Sequence, residues 1–409
     1  MSVILFALMN NYLFIFPLAM LFVVGATPSF GASLTNTTAN PWPNTTTNTP
    51  STATNKPSGF FDNKDHWFDM SSFLATGHGF VPMVMPITEP AVGYGAGVGL
   101  IFIDRPEPKP GEKPALPNLA VIGGALTENG TWGAIGSYSH WWLDDRLQTH
   151  FFLGYGAANL RYYGLGADSL YNNHSLGYTL RPAGGTVDAR YRLGDSPFLA
   201  GLGYSFTDTK VSFSGNVLPP NVNLPSSQTK VAGVTPLLAY DTRDNIFTPT
   251  KGIYAETSVA LDNQIFGGDT DFQVWDSTSI YYLPLSPKWT LGVKADAGFS
   301  FGDAPFYARP SISLRGAPAR DYQAEDIAQV EAELRWQLWR RFSLIGFAGT
   351  GVAWNDFDKF QSRRTLVTGG TGFRYELARK FGLHMGVDVA FGPDTTAVYI
   401  QFGSAWFRP

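Results

Sequence analysis

From about residue 80 to the end, the chain alternates apolar and polar positions with a period of two. No stretch there sustains the 3.6-residue spacing of an amphipathic helix. Trp289 to Phe301 is the clearest run. Trp289, Leu291, Val293, Ala295, Ala297, Phe299 and Phe301 share one face, and Thr290, Gly292, Lys294, Asp296, Gly298 and Ser300 share the other. Ile253 to Leu261 repeats the pattern, with Tyr254, Glu256, Ser258 and Asp262 on its polar side. Soluble sandwiches alternate too, so three further features decide the class. The runs extend over about 10–15 residues, against ~5–6 for a globular strand. Their polar faces hold small or charged groups, as a wet lumen would. Their ends carry Trp141, Trp142, Trp289, Trp339, Trp354 and Trp406, read as girdles at two water–lipid interfaces. Hydrocarbon offers no partner to a backbone N–H, and only closure removes the edges of a sheet. The expected fold is all-β, a transmembrane antiparallel β-barrel.

Sixteen runs are counted, the first at 80–88 and the last two at 380–392 and 396–407. From the fifth on, long connections (159–173, 214–229 and 303–325) alternate with short ones, as extracellular loops alternate with periplasmic turns. Pro82 and Pro86 weaken the first strand, Pro182 and Pro236 two others, and the Pro-rich 104–117 connection interrupts the alternation. Fourteen strands therefore stay open as an alternative.

Composition fits a barrel. Charged residues are 15% of the 409, against about 25% in a soluble domain, and aromatics also reach 15%. The chain has no Cys, and its formal net charge of −4 gives no reason to expect nucleic acid as a partner. Met1 to Val24 is mostly apolar and small residues follow at Gly25, Ala26, Gly31 and Ala32, although no Lys or Arg precedes Lys56. The expected organisation is a signal peptide over 1–32, a disordered Thr/Asn/Pro linker and lead-in over 33–79, and the barrel over 80–409.

Four segments of the C-terminal half resemble the BamA/TamA family of bacterial surface-antigen barrels. Tyr240-Asp241-Thr242-Arg243-Asp244-Asn245, followed by Pro249-Thr250-Lys251-Gly252, looks like the family's periplasmic turn. Leu314-Arg315-Gly316 with Tyr322 looks like its Arg-Gly signature on the sixth extracellular loop. Gly372-Phe373-Arg374-Tyr375 and Val387-Asp388-Val389-Ala390 look like its closing strands. The resemblance, over roughly residues 80–407, implies sixteen strands and an extracellular loop folded into the lumen. It also implies outer-membrane residence and a role in protein insertion, translocation or membrane organisation. The expected partners are lipid, lipopolysaccharide and a client polypeptide. Two departures stand out. Fewer than 80 residues precede the barrel, where family translocators carry POTRA modules. The family strand Phe-x-Asp-x-Gly reads Phe347-Ala348-Gly349-Thr350-Gly351, with Gly349 where a carboxylate would receive the loop arginine.

The period turns Glu331, Glu333, Arg335, Arg374, Glu376, His384 and Asp388 toward the lumen. Arg315 is expected to dock on Glu331, Glu333 or Asp388, in that order, a guanidinium forking onto a carboxylate. Read plainly, the same residues are lumen charges in water, worth at most ~1 kcal/mol per pair. Asp241, Arg243, Asp244, Pro249 and Gly252 read as a rigid capped turn. The prolines of the first strand suggest a weak seam with the last. No cofactor, metal site or enzyme activity is expected. The six His lack metal-ligand spacing, and His174 and Ser175, as strand neighbours, point to opposite faces. A passive diffusion pore and a surface antigen acting through its loops are the alternative functions.

Overall fold

The computed structural model describes residues 60–76, 79–104, 118–163, 175–214, 227–355, 360, 363–393 and 395–408. The signal segment, the linker up to residue 59, most of the Pro-rich connection and His174 lie outside the described residues. One 16-stranded sheet runs in sequence order with antiparallel neighbours throughout. Its first half is β1 (Gly79–Glu89), β2 (Gly93–Asp104), β3 (Asn118–Thr127), β4 (Trp132–Trp142), β5 (Leu147–Tyr162), β6 (Leu176–Arg192), β7 (Phe198–Ser214) and β8 (Ser227–Asp241). The second half is β9 (Gly252–Asp262), β10 (Phe272–Ser286), β11 (Trp289–Gly302), β12 (Asp326–Trp339), β13 (Phe342–Trp354), β14 (Arg364–Ala378), β15 (Leu383–Phe391) and β16 (Thr396–Phe402). A short helix, α1 (Ser71–Thr76), precedes β1. The 303–325 connection marks the loop end of the barrel, and the opposite rim is its turn end.

The alternation predicted from sequence becomes inside and outside. Val98, Leu100 and Phe102, or Phe151, Leu153 and Tyr155, stand exposed on the outer wall, while Ile101, Ile103 and Phe152 are buried inward. Lys294 and Asp296 pair inside at 2.9 Å. The prolines sit where a missing N–H does least harm. Pro182 lies where the β5–β6 register lapses between Tyr155↔Ala183 and Ala158↔Leu180. Pro236 lies in the gap of the β8–β9 register between Val234↔Leu261 and Leu237↔Ser258.

The sequence reading needs three corrections at the end of the chain. The fifteenth strand begins at Leu383 rather than 380, because Arg379–Phe381 form a 3-10 turn. The sixteenth stops at Phe402 rather than 407, and the chain then turns into the lumen, where Ser404 N donates to Phe247 O at 2.6 Å. Trp354 and Trp406 are not exposed girdle residues, being 5% and 7% exposed, whereas Trp142, Trp289 and Trp339 are exposed on the outer wall. Trp406 reaches Glu331 in the lumen, and Trp354, at the end of β13, is covered by the Phe360 ring at 5.2 Å.

The sheet nearly closes. Among the described residues no paired register joins β1 to β16; the Thr88 hydroxyl donates to Val398 O. Pro82 and Pro86 are four apart, so both missing donors lie on the same side of β1. The β1–β2 register runs unbroken from Gly79 to Glu89, which places those missing donors toward β16.

Candidate functional site

Between β11 and β12 the chain leaves the wall and folds down the lumen. It doubles back on itself, with Ser311 bridged to Gln323 and Ile312 N donating to Tyr322 O at 3.0 Å. Ile312, Leu314, Ala317 and Ala324 pack on Ile327, Ala353 and Leu366 of the wall, one of several apolar clusters inside the barrel. This burial carries Arg315 to the middle of a ring of inward side chains.

Arg315 is 8% exposed, and every face of its guanidinium is occupied. Nε donates to Glu331 Oε1 at 2.9 Å, Nη2 to the same oxygen at 2.5 Å, and Nη1 to Asp388 Oδ2 at 2.8 Å. Glu333 Oε2 also lies 2.8 Å from Nη1, an ion pair without hydrogen-bond alignment. The Phe347 ring stacks beneath the guanidinium, 3.7 Å from centroid to Cζ. Three carboxylates thus meet Arg315 and a second cation, Arg374, which forks onto Asp388 at 2.5 and 2.8 Å. In a low-dielectric interior such charges are tolerable only because they pair and share hydrogen bonds.

Two glycines make room. Gly316 has φ +93°, and a Cβ there would lie 3.0 Å from the Phe391 carbonyl. Its N–H donates to Tyr399 Oη at 3.1 Å and its carbonyl accepts from Thr395 Oγ1 at 2.7 Å. Gly349 sits across the ladder from Glu331, and its missing Cβ is replaced by Leu314, which would approach to 3.0 Å. The carboxylate absent from position 349 is thus supplied by its cross-strand neighbour. The loop also reaches both seam strands, since Ala319 N donates to Glu89 Oε1 of β1 at 3.0 Å while Gly316 holds Tyr399 of β16.

The second group of sequence candidates forms the turn between β8 and β9. Asp241 receives Arg243 at 2.9 and 2.7 Å, and the guanidinium lies over the Tyr254 ring at 4.4 Å. Burial pushes the Asp244 carboxyl up, but hydrogen bonds from Thr250 and Lys251 outweigh it and hold it below the usual range. Pro249 O accepts from Arg335 at 2.9 Å, and Gly252 closes the turn at φ +106°. Asn245 Nδ2 donates to Phe381 O at 2.8 Å, tying this turn to the one between β14 and β15.

Two partners escaped the sequence reading. Trp406 Nε1 donates to Glu331 Oε1 at 2.8 Å, so one carboxylate serves both the loop and the inturned C-terminal segment. A girdle tryptophan and an inturned one look alike in sequence; only the short β16 separates them. The other is Arg341, between β12 and β13, which is 0% exposed. It binds Asp62, Asp65 and Asp69 at 2.7, 2.8 and 2.7 Å, so residues 60–76, part of the lead-in, are folded onto the turn end. Hydrogen bonds from Arg341 hold the Asp65 carboxyl well below its ordinary value. Asp69 is pushed up by burial, but hydrogen bonds from Ser71 and Arg341 bring it lower overall. Among the described residues no group of three His, Asp or Glu could hold a metal ion.

Against known proteins, the family model of the Omp85 superfamily domain matches residues 119–393. No curated sequence matches the chain. Among solved structures, BamA from Haemophilus ducreyi lacking POTRA domains 1–3 superposes with a TM-score of 0.54 at 13% identity, over 80% of this chain and 70% of that one. CdiB from Acinetobacter baumannii gives 0.52 at 11% identity over 78% of this chain and 59% of that one. CdiB from Escherichia coli gives 0.53 at 12%, over 79% and 61%. The chain therefore spans about three fifths of either CdiB.

Proposed function

The chain belongs to the Omp85 superfamily, and from that premise we propose that it is an outer-membrane barrel that inserts or translocates polypeptides, its lumen plugged and its β1/β16 seam the place where a client engages. One observation carries this reading. The 303–325 loop enters the lumen and holds both seam strands, through Glu89 and Tyr399, while those strands share no paired register among the described residues. A strand edge without a ladder partner is a template for another chain. The exposed apolar outer wall suits lipid and lipopolysaccharide as surroundings. The docked Arg315 is the lock that holds the plug. A diffusion pore would need the lumen clear of the loop.

The test is reconstitution in lipid vesicles with an unfolded barrel client. The protein speeds client folding, and an introduced T88C/V398C disulfide across the seam, where a hydrogen bond brings the two strands together, removes the effect on oxidation and restores it on reduction. Equal rates with and without the protein would reject the reading.

A further inference from the structure

The seam is weakest at the turn end. Counting from the Thr88–Val398 bond, Phe402 falls near Val84, so Gly79 to Met83 of β1 run past the last residue of β16. What lies against that overhang is the segment ahead of β1. Met70 and Leu74 are buried with Met83, Ile101 and Ile103 on one side of the seam and with Leu377, Leu383 and Phe402 on the other. The apolar contact bridges the gap that the ladder leaves open.

The ion pairs of Asp62, Asp65 and Asp69 and the backbone bonds of Phe68 and Met70 fix this segment to the far side. Arg341 gathers Asp62, Asp65 and Asp69, and Arg379 adds Asp62 and Asp65 at 2.8 and 2.7 Å. Met70 N donates to Leu377 O at 2.8 Å, Lys380 N to Ser71 Oγ at 3.0 Å, and Tyr375 Oη to Phe68 O at 2.6 Å. Trp67 packs edge-on to Trp339 and Phe342 at 5.4 and 5.6 Å. β1 is continuous with this segment, so whatever pins residues 60–76 to the β12–β13 and β14–β15 turns also pins β1 beside β16.

We propose that residues 60–76 are a detachable clasp that holds the β1/β16 seam shut from the turn end, with Arg341 as its catch. The clasp regulates the seam invoked in the proposed function and rests on that reading for its biological sense. Its physics is open to a separate test. Side chains and a few backbone bonds hold it, so it can let go without breaking any strand ladder.

The experiment is amide hydrogen exchange on the full chain in lipid vesicles. R341Q raises exchange in 79–88 and 396–402 about tenfold while β5–β7 stay as they were, a local opening rather than global loss. The chain has no Cys of its own, so an S71C/K380C pair reports cleanly. Oxidising that pair in the R341Q background returns the seam to wild-type protection. Should R341Q not fold, D62N/D65N/D69N opens the same contact from its other side. Unchanged seam exchange in the folded variants, or exchange that ignores the disulfide, would overturn the clasp. Client folding in the same vesicles is read independently. Its absence beside a responsive seam speaks against the function alone, and its presence beside an unresponsive seam against the clasp alone.

Discussion

Arg315 and Arg341 are both buried arginines that gather three carboxylates, and the comparison separates two kinds of lock. Arg315 sits on a loop, but its partners Glu331, Glu333 and Asp388 stand on β12 and β15, held by ladders on both sides. Arg341 reverses this. The arginine is fixed between two strands and the carboxylates ride on a 60–76 segment with no ladder of its own. The same chemistry therefore gives a stiff receptor for a moving cation in one place and a fixed cation for a moving acidic segment in the other. The first holds the plug; the second is suited to letting go.

The largest break in that comparison is R315A. It leaves Glu331 and Asp388 buried with fewer partners, which costs about 3–5 kcal/mol. Urea unfolding from vesicles shows the loss, and protease cuts within 304–325 that the wild type resists. R341Q, by contrast, leaves that loop protected. E331Q weakens the barrel more than E333Q, by about 1–2 kcal/mol, because Glu331 accepts from Arg315 and from Trp406 while Glu333 makes an unaligned ion pair. G316A costs about 1–2 kcal/mol for its left-handed backbone, before any contact with Phe391 is counted.

The smallest effect is pH dependence at the clasp. Asp65 and Asp69 titrate lower when folded than when unfolded, so their stabilisation is complete above the ordinary carboxylate value of about 3.9 and fades as pH falls below it. Arg341 is raised, and its contribution holds at every pH below the usual arginine range. Protection at the seam, taken relative to the intrinsic amide exchange rate at each pH, is therefore flat from about pH 5 to 8 and falls only in stronger acid. A midpoint near neutrality would mean that other groups hold the segment.

Periodicity explains what was legible. A two-residue repeat assigns a face to every position within a strand, so the sixteen strands and the inward placing of Glu331, Glu333 and Asp388 could be read without coordinates. Arg341 lies between two strands, where no period assigns a side, and its aspartates fall in a stretch with no alternation at all. β15 and β16 were overextended for a related reason. Phe381, Phe402 and Trp406 keep the apolar pattern going after the backbone has already turned, because the buried floor of the lumen is as apolar as the lipid outside. Proline gave the opposite lesson. Pro182 and Pro236 weaken one side of a ladder and leave the strand intact, which composition alone does not distinguish from a break.

The plugged lumen is tested most directly by single-channel recording in planar bilayers. Small, short-lived currents are expected from the wild-type protein, and R315A converts them to larger, steady steps as the loop comes free. A large, steady conductance from the wild type, unchanged by R315A, would contradict the account.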